Sequence, residues 1–427
     1  MAKRIMVLFV LAAVVGLVFA QTLTAAETIT LRWYMRWDKV RVDGVAKPII
    51  EEYQKTHPNI KIELENISSG AEYSTKLLTM AAAGAMPDVL YPNTCDEQIL
   101  AARGALLNLK QFMKYVDLRA YDRRILDLYK YKGDVYGLPV DRAALGVFYN
   151  KDMFDEAKVP YPTKEMTWDE FIAMAKKLTK DKDGDGRIDQ WALHLDTDIY
   201  WQVMLYHMTG KNMYDDIYKP TKFLMKEPKA VAAIQYYADM ITKHKIAPAP
   251  SQRAGISDML VAGNAAMNII GMWRAPQVIA NCKFRWDVFP LPHGPYKGNR
   301  ADGSCFAIGK NTKHPKEAWD FVKYLAGPNA PGVKMLLDMQ QMVPALTGLS
   351  DDFLKIPQGV PQYNKKAFLS YSDKLINCYQ PMNTDYNQLN NLIRTEFNKI
   401  WEGQETAAEA MKNLAPKVES ILLQSSI

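Results

Sequence analysis

The order of apolar and polar residues predicts strands and helices that alternate through the first part of the chain. Residues 28–33 and 60–67 alternate between apolar and polar side chains, as strands with one buried face do. Residues 45–56 and 73–83 instead place apolar side chains at helical spacing. Residues 88–91 (DVLY) are predicted to be a third, short strand. This β-α-β-α-β order predicts an α/β fold with a largely parallel sheet and helices on both faces.

The rest of the chain becomes richer in helices. Thr167 and Glu170 have the spacing of a capping box, which predicts a helix that runs to Thr179. Further helices are predicted at residues 229–244, 316–326 and 407–424, the last of them broken or kinked at Pro416. Further extended pieces are predicted at residues 135–150, 265–270, 286–291 and 304–308. Breaks that contain proline, where the chain would pass between two lobes, occur at residues 138–139, 290–292 and 343–344.

The first 26 residues have the pattern of a secretory signal peptide. Lys3 and Arg4 precede an uncharged apolar run over residues 5–20, and small residues follow up to Ala26, after which cleavage is expected. The alternative is a retained membrane anchor, because the run is only slightly shorter than a spanning helix. No cysteine lies near this junction, so a lipid anchor is not expected. The sequence thus predicts a periplasmic or extracellular protein.

Length and composition limit the class of protein. The chain has 427 residues, of which 48% are hydrophobic and 23% charged, so it forms two or more domains or one very large domain. This composition excludes wholesale disorder, collagen and a polytopic membrane protein. The 53 basic and 47 acidic residues nearly balance, at a net charge of +6, and no dense run of Lys and Arg occurs. Nucleic acid is therefore not expected as a partner.

The common enzyme signatures are missing from the sequence. It contains no Gly-rich nucleotide loop, no G-x-S-x-G nucleophile elbow and no H-E-x-x-H zinc helix. Carboxylates are numerous, but their spacing singles out no catalytic pair. We therefore expect no catalytic residue. The four cysteines, Cys95, Cys282, Cys305 and Cys378, allow three disulfide pairings, and spacing does not choose among them.

One acidic loop has the ligand spacing of a calcium site. Carboxylates occupy positions 1, 3, 5 and 9, and Gly186 stands at position 6, where the chain must turn. The predicted metal-site residues are Asp181, Asp183, Asp185, Arg187 and Asp189. Position 12 is Ala192 where a complete loop has Glu, so Asp196, Asp198 or water would have to complete the shell. The alternative is a solvated Asp/Gly turn; if calcium binds, its role is structural.

Several motifs resemble the family 1 extracellular solute-binding proteins of ABC sugar importers, which include maltose-binding protein. The most specific stretch contains KGDVYGLP at 132–139, VFYNKDMF at 147–154 and TWDEF at 167–171. Further matches are AGAMPDV at 83–89, GNAAM at 263–267, GMW at 271–273, AIGKN at 307–311 and HPKEAW at 314–319. Calcium loops also occur in some members of this family.

The resemblance implies a type II periplasmic-binding-protein fold, in which two mainly parallel α/β lobes are joined by a hinge. It places residues 27–140 and 290–342 in an N-lobe, and residues 141–289 and 343–427 in a C-lobe. The three crossings would lie near residues 139–141, 288–291 and 342–344. The implied function is the capture of a carbohydrate, expected to be an oligosaccharide, between the lobes. The implied partners are ABC permease subunits in the membrane, which would receive the sugar from a monomeric binding protein.

Sugar recognition needs flat aromatic faces and groups that hydrogen-bond hydroxyls. In parallel α/β lobes such residues follow the carboxyl ends of strands, and the family's Gly-x-Trp element adds a stacking tryptophan. The predicted ligand-binding residues are Trp37, Asp38, Asn93, Asp141, Arg142, Trp201, Gly271, Trp273 and Arg274. Neighbouring or weaker candidates are Tyr34, Arg36, Tyr200, Tyr371 and Tyr379. Core positions are predicted for Trp33, Trp168, Trp286 and Trp319.

Two other functions stay open at this point. A secreted carbohydrate-active enzyme would use two carboxylates, and turnover of a sugar would identify it. A binder of anionic solutes, such as uronates or glycerol phosphates, is suggested by Arg36, Arg142 and Arg274. Arginine holds a carboxylate or phosphate with two parallel bonds, but it also binds neutral hydroxyls.

Overall fold

The structure of the protein is a computed structural model. It describes residues 28–197, 200–216, 220–253, 255–300, 302–340, 342–376 and 386–425. The predicted signal peptide, Asp198, Cys378 and Tyr379 lie outside the described residues. None of the described helices combines the length and the apolar character that crossing a bilayer requires.

The strands predicted near residues 28, 60, 88, 265, 286 and 304 are present, and the structure adds shorter strands that were not predicted. In chain order they are β1 (Ile29–Met35), β2 (Ile60–Asn66), β3 (Val89–Leu90), β4 (Lys130–Tyr131), β5 (Asp134–Val135), β6 (Gly137–Pro139), β7 (Asp141–Arg142), β8 (Leu145–Asn150), β9 (Trp191–His194), β10 (Ala265–Gly271), β11 (Trp286–Phe289), β12 (Asn299–Arg300), β13 (Cys305–Ile308), β14 (Val343–Pro344) and β15 (Leu375–Ile376). Strand β1 alternates only at its start, because its last residues are buried on both faces.

The helices cover both faces of these strands. They are α1 (Lys39–Arg41), α2 (Lys47–Thr56), α3 (Gly70–Ala82), α4 (Thr94–Ala102), α5 (Arg123–Asp127), α6 (Lys151–Glu156), α7 (Trp168–Leu178), α8 (Trp201–Thr209), α9 (Pro228–Thr242), α10 (Ala275–Asn281), α11 (Pro315–Ala326), α12 (Pro331–Asp338), α13 (Ser350–Leu354), α14 (Tyr386–Trp401) and α15 (Ala407–Ser425). The predicted capping box at Thr167 and Glu170 is confirmed. A π-helical turn, Val42–Ala46, joins α1 to α2, and Pro416 lies inside α15, which continues through it.

Two sheets divide the described chain into two lobes. The N-lobe sheet has the strand order β2-β1-β3-β13-β6, and the C-lobe sheet has the order β11-β8-β10-β9. Strand β1 is parallel to β2 and β3, but β13 is antiparallel to β3 and β6. In the C-lobe β10 is parallel to β9, and β8 is antiparallel to β10 and β11. The two-lobed α/β prediction is confirmed, whereas the prediction of mainly parallel sheets is wrong, because strands that follow a crossing enter in the opposite direction.

Two hydrophobic clusters fill the interior of the described residues, one mainly in the N-lobe and the other in the C-lobe. Trp33 is fully buried in the N-lobe and packs edge-on against Phe321 at 5.2 Å between ring centroids. Trp401 is fully buried in the C-lobe beside Phe397. The core positions predicted for four tryptophans are confirmed, since all are at least 93% buried: Trp33, Trp168, Trp286 and Trp319. The first cluster also includes residues of the C-lobe strands, such as Phe148, Ile270 and Val288, so it reaches from the N-lobe onto one face of the C-lobe sheet.

The crossings between the lobes lie side by side. Strand β7 of the first crossing pairs with β14 of the third, near residues 342–344 as predicted. The second crossing is displaced from its predicted place at residues 288–291. Residues 291–300 stay on the C-lobe, where the His293 N–H donates to the Met166 carbonyl and Asn299 bonds the backbone of Leu145. The predicted N-lobe start at residue 290 is therefore wrong, and the chain crosses at residues 300–304.

Candidate functional site

A cavity of about 370 Å³ lies between the lobes, and its walls are mostly polar. The N-lobe supplies Arg36, Asp38, Arg41, Tyr91 and Asn93. The C-lobe supplies Tyr200, Gln202, Trp273, Arg274 and Gln277. The crossings supply Asp141, Arg300, Asp302 and Ser304. The carboxyl ends of β1, β3 and β10 all point at this cavity, which explains why residues just after strands line it.

An aromatic corner forms the C-lobe side of the cavity. Trp273 and Tyr200 are half-buried, with ring centroids 6.2 Å apart and planes inclined by 55°. Both rings border both hydrophobic clusters of the described residues. Gly271 permits this arrangement, because a Cβ atom at that position would lie 1.8 Å from Cζ3 of the Trp273 indole. The predicted Gly-x-Trp element therefore places Trp273 in the cavity wall, with Gly271 in close contact with its indole.

Two predicted residues of the N-lobe wall also cap helices. The Asp38 side chain accepts the Arg41 N–H at the start of α1, and its other oxygen accepts from Arg41 Nε at 2.6 Å. The Asn93 side chain accepts the Asp96 N–H at the start of α4. Burial raises the pKa of Asp96 to about 6, against the effect of the hydrogen bonds from Ser74 and Asn93. These caps fix where α1 and α4 begin and hold their polar ends at the cavity.

Three cavity arginines are paired with carboxylates of the protein itself. Arg41 pairs with Asp38, and Arg300 pairs with Asp302. Arg274 Nε lies 3.3 Å from Oδ2 of the nearly buried Asp258. Burial acts to raise the pKa of Asp258, but the hydrogen bond to His194 and the charge of Arg274 lower it overall. The positive charge of the three arginines is therefore largely neutralised by the protein's own carboxylates before any ligand binds.

Three predicted binding residues are placed elsewhere by the structure. Trp37 is 99% buried and packs edge-on against Trp33 and Tyr91, so it supports the cavity wall from behind. Trp201 is 97% buried against Phe397, at 4.6 Å between centroids. Arg142 follows Asp141 on β7 and points to the opposite side, where the charges of Asp122 and Arg124 act on it. A stacking role for the two tryptophans and a cavity role for Arg142 are therefore corrected.

The weaker candidates divide in the same way. Arg36 and Tyr200 line the cavity. Tyr34 is buried and stacked on Tyr73 at 4.7 Å, and Tyr371 is buried with its hydroxyl donating to the Leu291 carbonyl. Among the described cysteines, Cys282 and Cys305 have free thiols.

The sequence interpretation missed several lining residues, in two groups. Tyr91 and Arg41 stand directly beside predicted residues, and the after-the-strand rule could have included both. Arg300, Asp302 and Ser304 belong to the second crossing, which was predicted about ten residues too early. Gln202 and Gln277 lie on α8 and α10, and no local signal distinguishes them from other helical glutamines.

The acidic loop between α7 and β9 brings three predicted ligands together. Carboxylate oxygens of Asp181, Asp183 and Asp189 lie within 4.8 Å of one another, and all three residues are exposed. Asp181 accepts the N–H groups of Gly184 and Gly186, both of which have positive φ. Asp185 and Asp196 lie outside this group. Asp185 accepts the Arg187 N–H, and Asp196 accepts the Tyr200 N–H.

Comparison with known proteins identifies a family that this chain matches. Residues 39–330 match the model of the bacterial extracellular solute-binding protein family. The multiple sugar-binding protein of Streptococcus mutans is 25% identical over 355 residues, which cover 76% of this chain and 77% of the relative.

Solved structures share the fold. An ABC substrate-binding protein of Listeria monocytogenes in complex with cycloalternan aligns with a TM-score of 0.81 at 23% identity, covering 92% of this chain and 99% of that one. A solute-binding protein of Thermotoga lettingae bound to α-D-tagatose aligns with a TM-score of 0.79 at 20% identity, covering 92% and 100%. At these identities the likeness concerns the fold, which is the two-lobed architecture described above.

Proposed function

Because the chain belongs to the bacterial extracellular solute-binding proteins, we propose that it captures a neutral carbohydrate between its lobes and delivers it to an ABC permease. Membership of this family also means that the chain is a binding protein and not an enzyme. The observation that carries the carbohydrate proposal is the half-buried indole of Trp273, which faces a cavity otherwise lined by hydrogen-bonding groups. Aromatic faces match the C–H faces of sugars, and the polar groups match their hydroxyls.

The charges of the cavity favour a neutral ligand over an anionic one. The basic groups are Arg36, Arg41, Arg274 and Arg300, and the acidic groups beside them are Asp38, Asp141, Asp258 and Asp302. An anionic ligand would have to compete with carboxylates that already hold three of these guanidinium groups. A neutral sugar instead binds the remaining donors and acceptors and leaves these ion pairs intact. Uronates and glycerol phosphates are therefore the less supported alternative.

The two walls of the cavity belong to different lobes, so we expect the lobes to close around a ligand. Helix α1 of the N-lobe packs against α10 of the C-lobe, and both helices contribute side chains to the cavity. A sugar that contacts both walls stabilises the closed arrangement by the contacts that only this arrangement offers. We propose that the permease recognises the closed form. Export by the N-terminal signal peptide, with a periplasmic or extracellular location, belongs to the same proposal and agrees with the extracellular family.

A thermal-shift panel tests the proposal. We expect at least one neutral mono- or oligosaccharide to raise the melting temperature, since a ligand at one hundred times its Kd adds about 2.7 kcal/mol to the free energy of unfolding. Matched pairs, such as glucose with glucuronate and galactose with galacturonate, separate neutral from acidic sugars. The proposal is wrong if no carbohydrate shifts the transition, and the neutral preference is wrong if only the acidic partner does. Chromatography of the mixtures should show no product.

We propose further that the acidic loop binds calcium. The spacing of its three carboxylates suits an ion whose oxygen ligands lie about 2.3–2.6 Å away. Asp181, Asp183 and Asp189 would hold the ion, while a backbone carbonyl at Arg187 and water would complete the shell. Such an ion would tie the loop between α7 and β9, and because none of these three residues lines the cavity, its role would be structural.

Calcium is expected to raise the melting temperature of the wild type, and a chelator should reverse this. In Asp181→Asn the calcium-dependent shift should disappear, because one of the three carboxylate ligands loses its negative charge. Asp351→Asn, at an exposed acid of α13, serves as the control and should keep the full shift. An equal calcium response in both variants would refute the site, whatever their absolute stabilities.

A further inference from the structure

Four residues from four segments close a ring of hydrogen bonds at the base of the cavity. Arg36, which follows β1, donates from Nη2 to Ser304 Oγ at 2.7 Å and from Nε to the Tyr91 carbonyl at 3.4 Å. The Tyr91 hydroxyl donates to Asp141 Oδ2 at 3.1 Å, and the Ser304 N–H donates to Asp141 Oδ1 at 2.7 Å. Arg36 and Asp141 therefore share the same two neighbours. Because Asp141 and Ser304 stand on two crossings, the ring joins the N-lobe wall to the hinge.

Arg36 differs from the other arginines of the cavity. Arg41, Arg274 and Arg300 each form an ion pair with one carboxylate. Within the described part of the chain, no carboxylate lies at ion-pair distance from Arg36, whose guanidinium instead sits 5.4 Å from the centre of the Tyr91 ring. Its positive charge acts at longer range on the carboxyl groups of this region, of which Asp141 is one.

The surroundings of Asp141 decide whether it carries a charge. Burial raises its pKa to about 6, while the Ser304 N–H, the Tyr91 hydroxyl and the charge of Arg36 lower it, and the nearby Asp302 raises it. Two further titratable groups, the Cys305 thiol and the Tyr129 hydroxyl, face it from β13 and from the segment before β4. Burial raises the pKa of both, so they remain neutral. Arg36 is thus the positive group that offsets the burial of Asp141.

We propose that Arg36 is a positioning residue, which acts through Tyr91 and Ser304 to hold the Asp141 carboxylate charged and directed into the cavity as an acceptor for sugar hydroxyls. This inference rests on the proposed function. A charged acceptor forms stronger hydrogen bonds with hydroxyls than a neutral carboxyl group does. When Asp141 is protonated it loses that advantage, and one oxygen becomes a donor. Sugar affinity should therefore fall as the pH is lowered through the titration of Asp141.

The sugar affinity of four proteins as a function of pH tests this role. With a saccharide from the thermal-shift panel, wild-type affinity should fall about tenfold between pH 8 and pH 5, with a midpoint near the pKa of Asp141, about 6. In Arg36→Gln the midpoint should move up by about one unit, since a nearby positive charge has been removed. Arg36→Lys keeps the charge and should keep the wild-type midpoint, although its affinity is lower. Asp141→Asn should bind weakly and without this pH dependence.

The possible outcomes distinguish a failure of the proposed role of Arg36 from a failure of the proposed carbohydrate binding. A wild type that binds no saccharide at any pH contradicts the proposed function. A wild type that binds, together with an Arg36→Gln protein that is uniformly weaker at an unchanged midpoint, shows that Arg36 only supports the structure and overturns the inference. Melting temperatures at each pH establish that every variant is folded. If Arg36→Gln does not fold, Tyr91→Phe removes the hydroxyl that donates to Asp141, and the same upward shift is expected; an unchanged midpoint there overturns the inference too.

Discussion

Replacing Trp273 by alanine is expected to weaken sugar binding by roughly 30- to 150-fold, which corresponds to about 2–3 kcal/mol of lost burial and stacking. Trp273 is half-buried, and its indole forms the flat wall of the cavity beside Tyr200. Its truncation removes the surface on which a sugar ring would lie. Titration calorimetry with the saccharide from the panel measures the change directly.

Two companion variants make this result specific. Gly271→Ala keeps the indole but places a Cβ 1.8 Å from it, so the ring must move, and affinity should fall in this variant too. Tyr115→Ala removes a 62%-exposed aromatic ring of the N-lobe that does not line the cavity, and it should bind as the wild type does. Wild-type affinity in Trp273→Ala would contradict the assignment of the cavity as the sugar site.

Replacing Gly303 by alanine should both destabilise the protein and weaken sugar binding. A Cβ on Gly303 would lie 2.3 Å from the carbonyl oxygen of Asp141 and 2.7 Å from its Oδ1. Because the first contact is with backbone, the two crossings would have to separate. Such overpacking costs about 1–3 kcal/mol, and the displaced Asp141 would no longer meet its partners. Denaturant unfolding and calorimetric titration measure the two effects.

Gly348→Ala is the matched control for this substitution. Gly348 lies in the short helix Thr347–Leu349, with nothing within 4 Å of the added Cβ. Its free energy of unfolding and its sugar affinity should stay within about 0.5 kcal/mol of the wild type. If Gly303→Ala behaves in the same way, the close contact between the crossings does not matter for the hinge.

The sequence predicted features that depend on neighbours along the chain. The capping box at Thr167, the strands of the N-lobe and the buried tryptophans all follow from local spacing and apolar pattern. The position of the second crossing does not follow from such local patterns. Prolines at residues 290 and 292 mark a break, but the segment after them stays on the C-lobe because Tyr296 and His293 bond backbone groups of distant residues. The site residues Arg300, Asp302 and Ser304 were missed for that reason.

The aromatic residues show a second limit of sequence interpretation. The rule that ligands meet the ends of strands locates the right stretch of chain, but it does not give the direction of each side chain. Arg36 and Asp38 line the cavity, while Trp37 between them turns into the core. In the same way Tyr200 lines the cavity and Trp201 packs inside the C-lobe. Neighbours in sequence thus differ in role, because packing in three dimensions decides which side chain is covered.

Trp273 and Tyr200 border both hydrophobic clusters, and the Tyr200 ring also lies 5.3 Å from the guanidinium of Arg300 on the second crossing. Because this aromatic corner adjoins a segment that links the lobes, we expect a change in the angle between the lobes to move the rings as well. A solute that tilts the rings away from their resting position also sets a different angle. If the proposed function is correct, different sugars are expected to produce different closed shapes, and a docking partner would meet those differences at the outer surface.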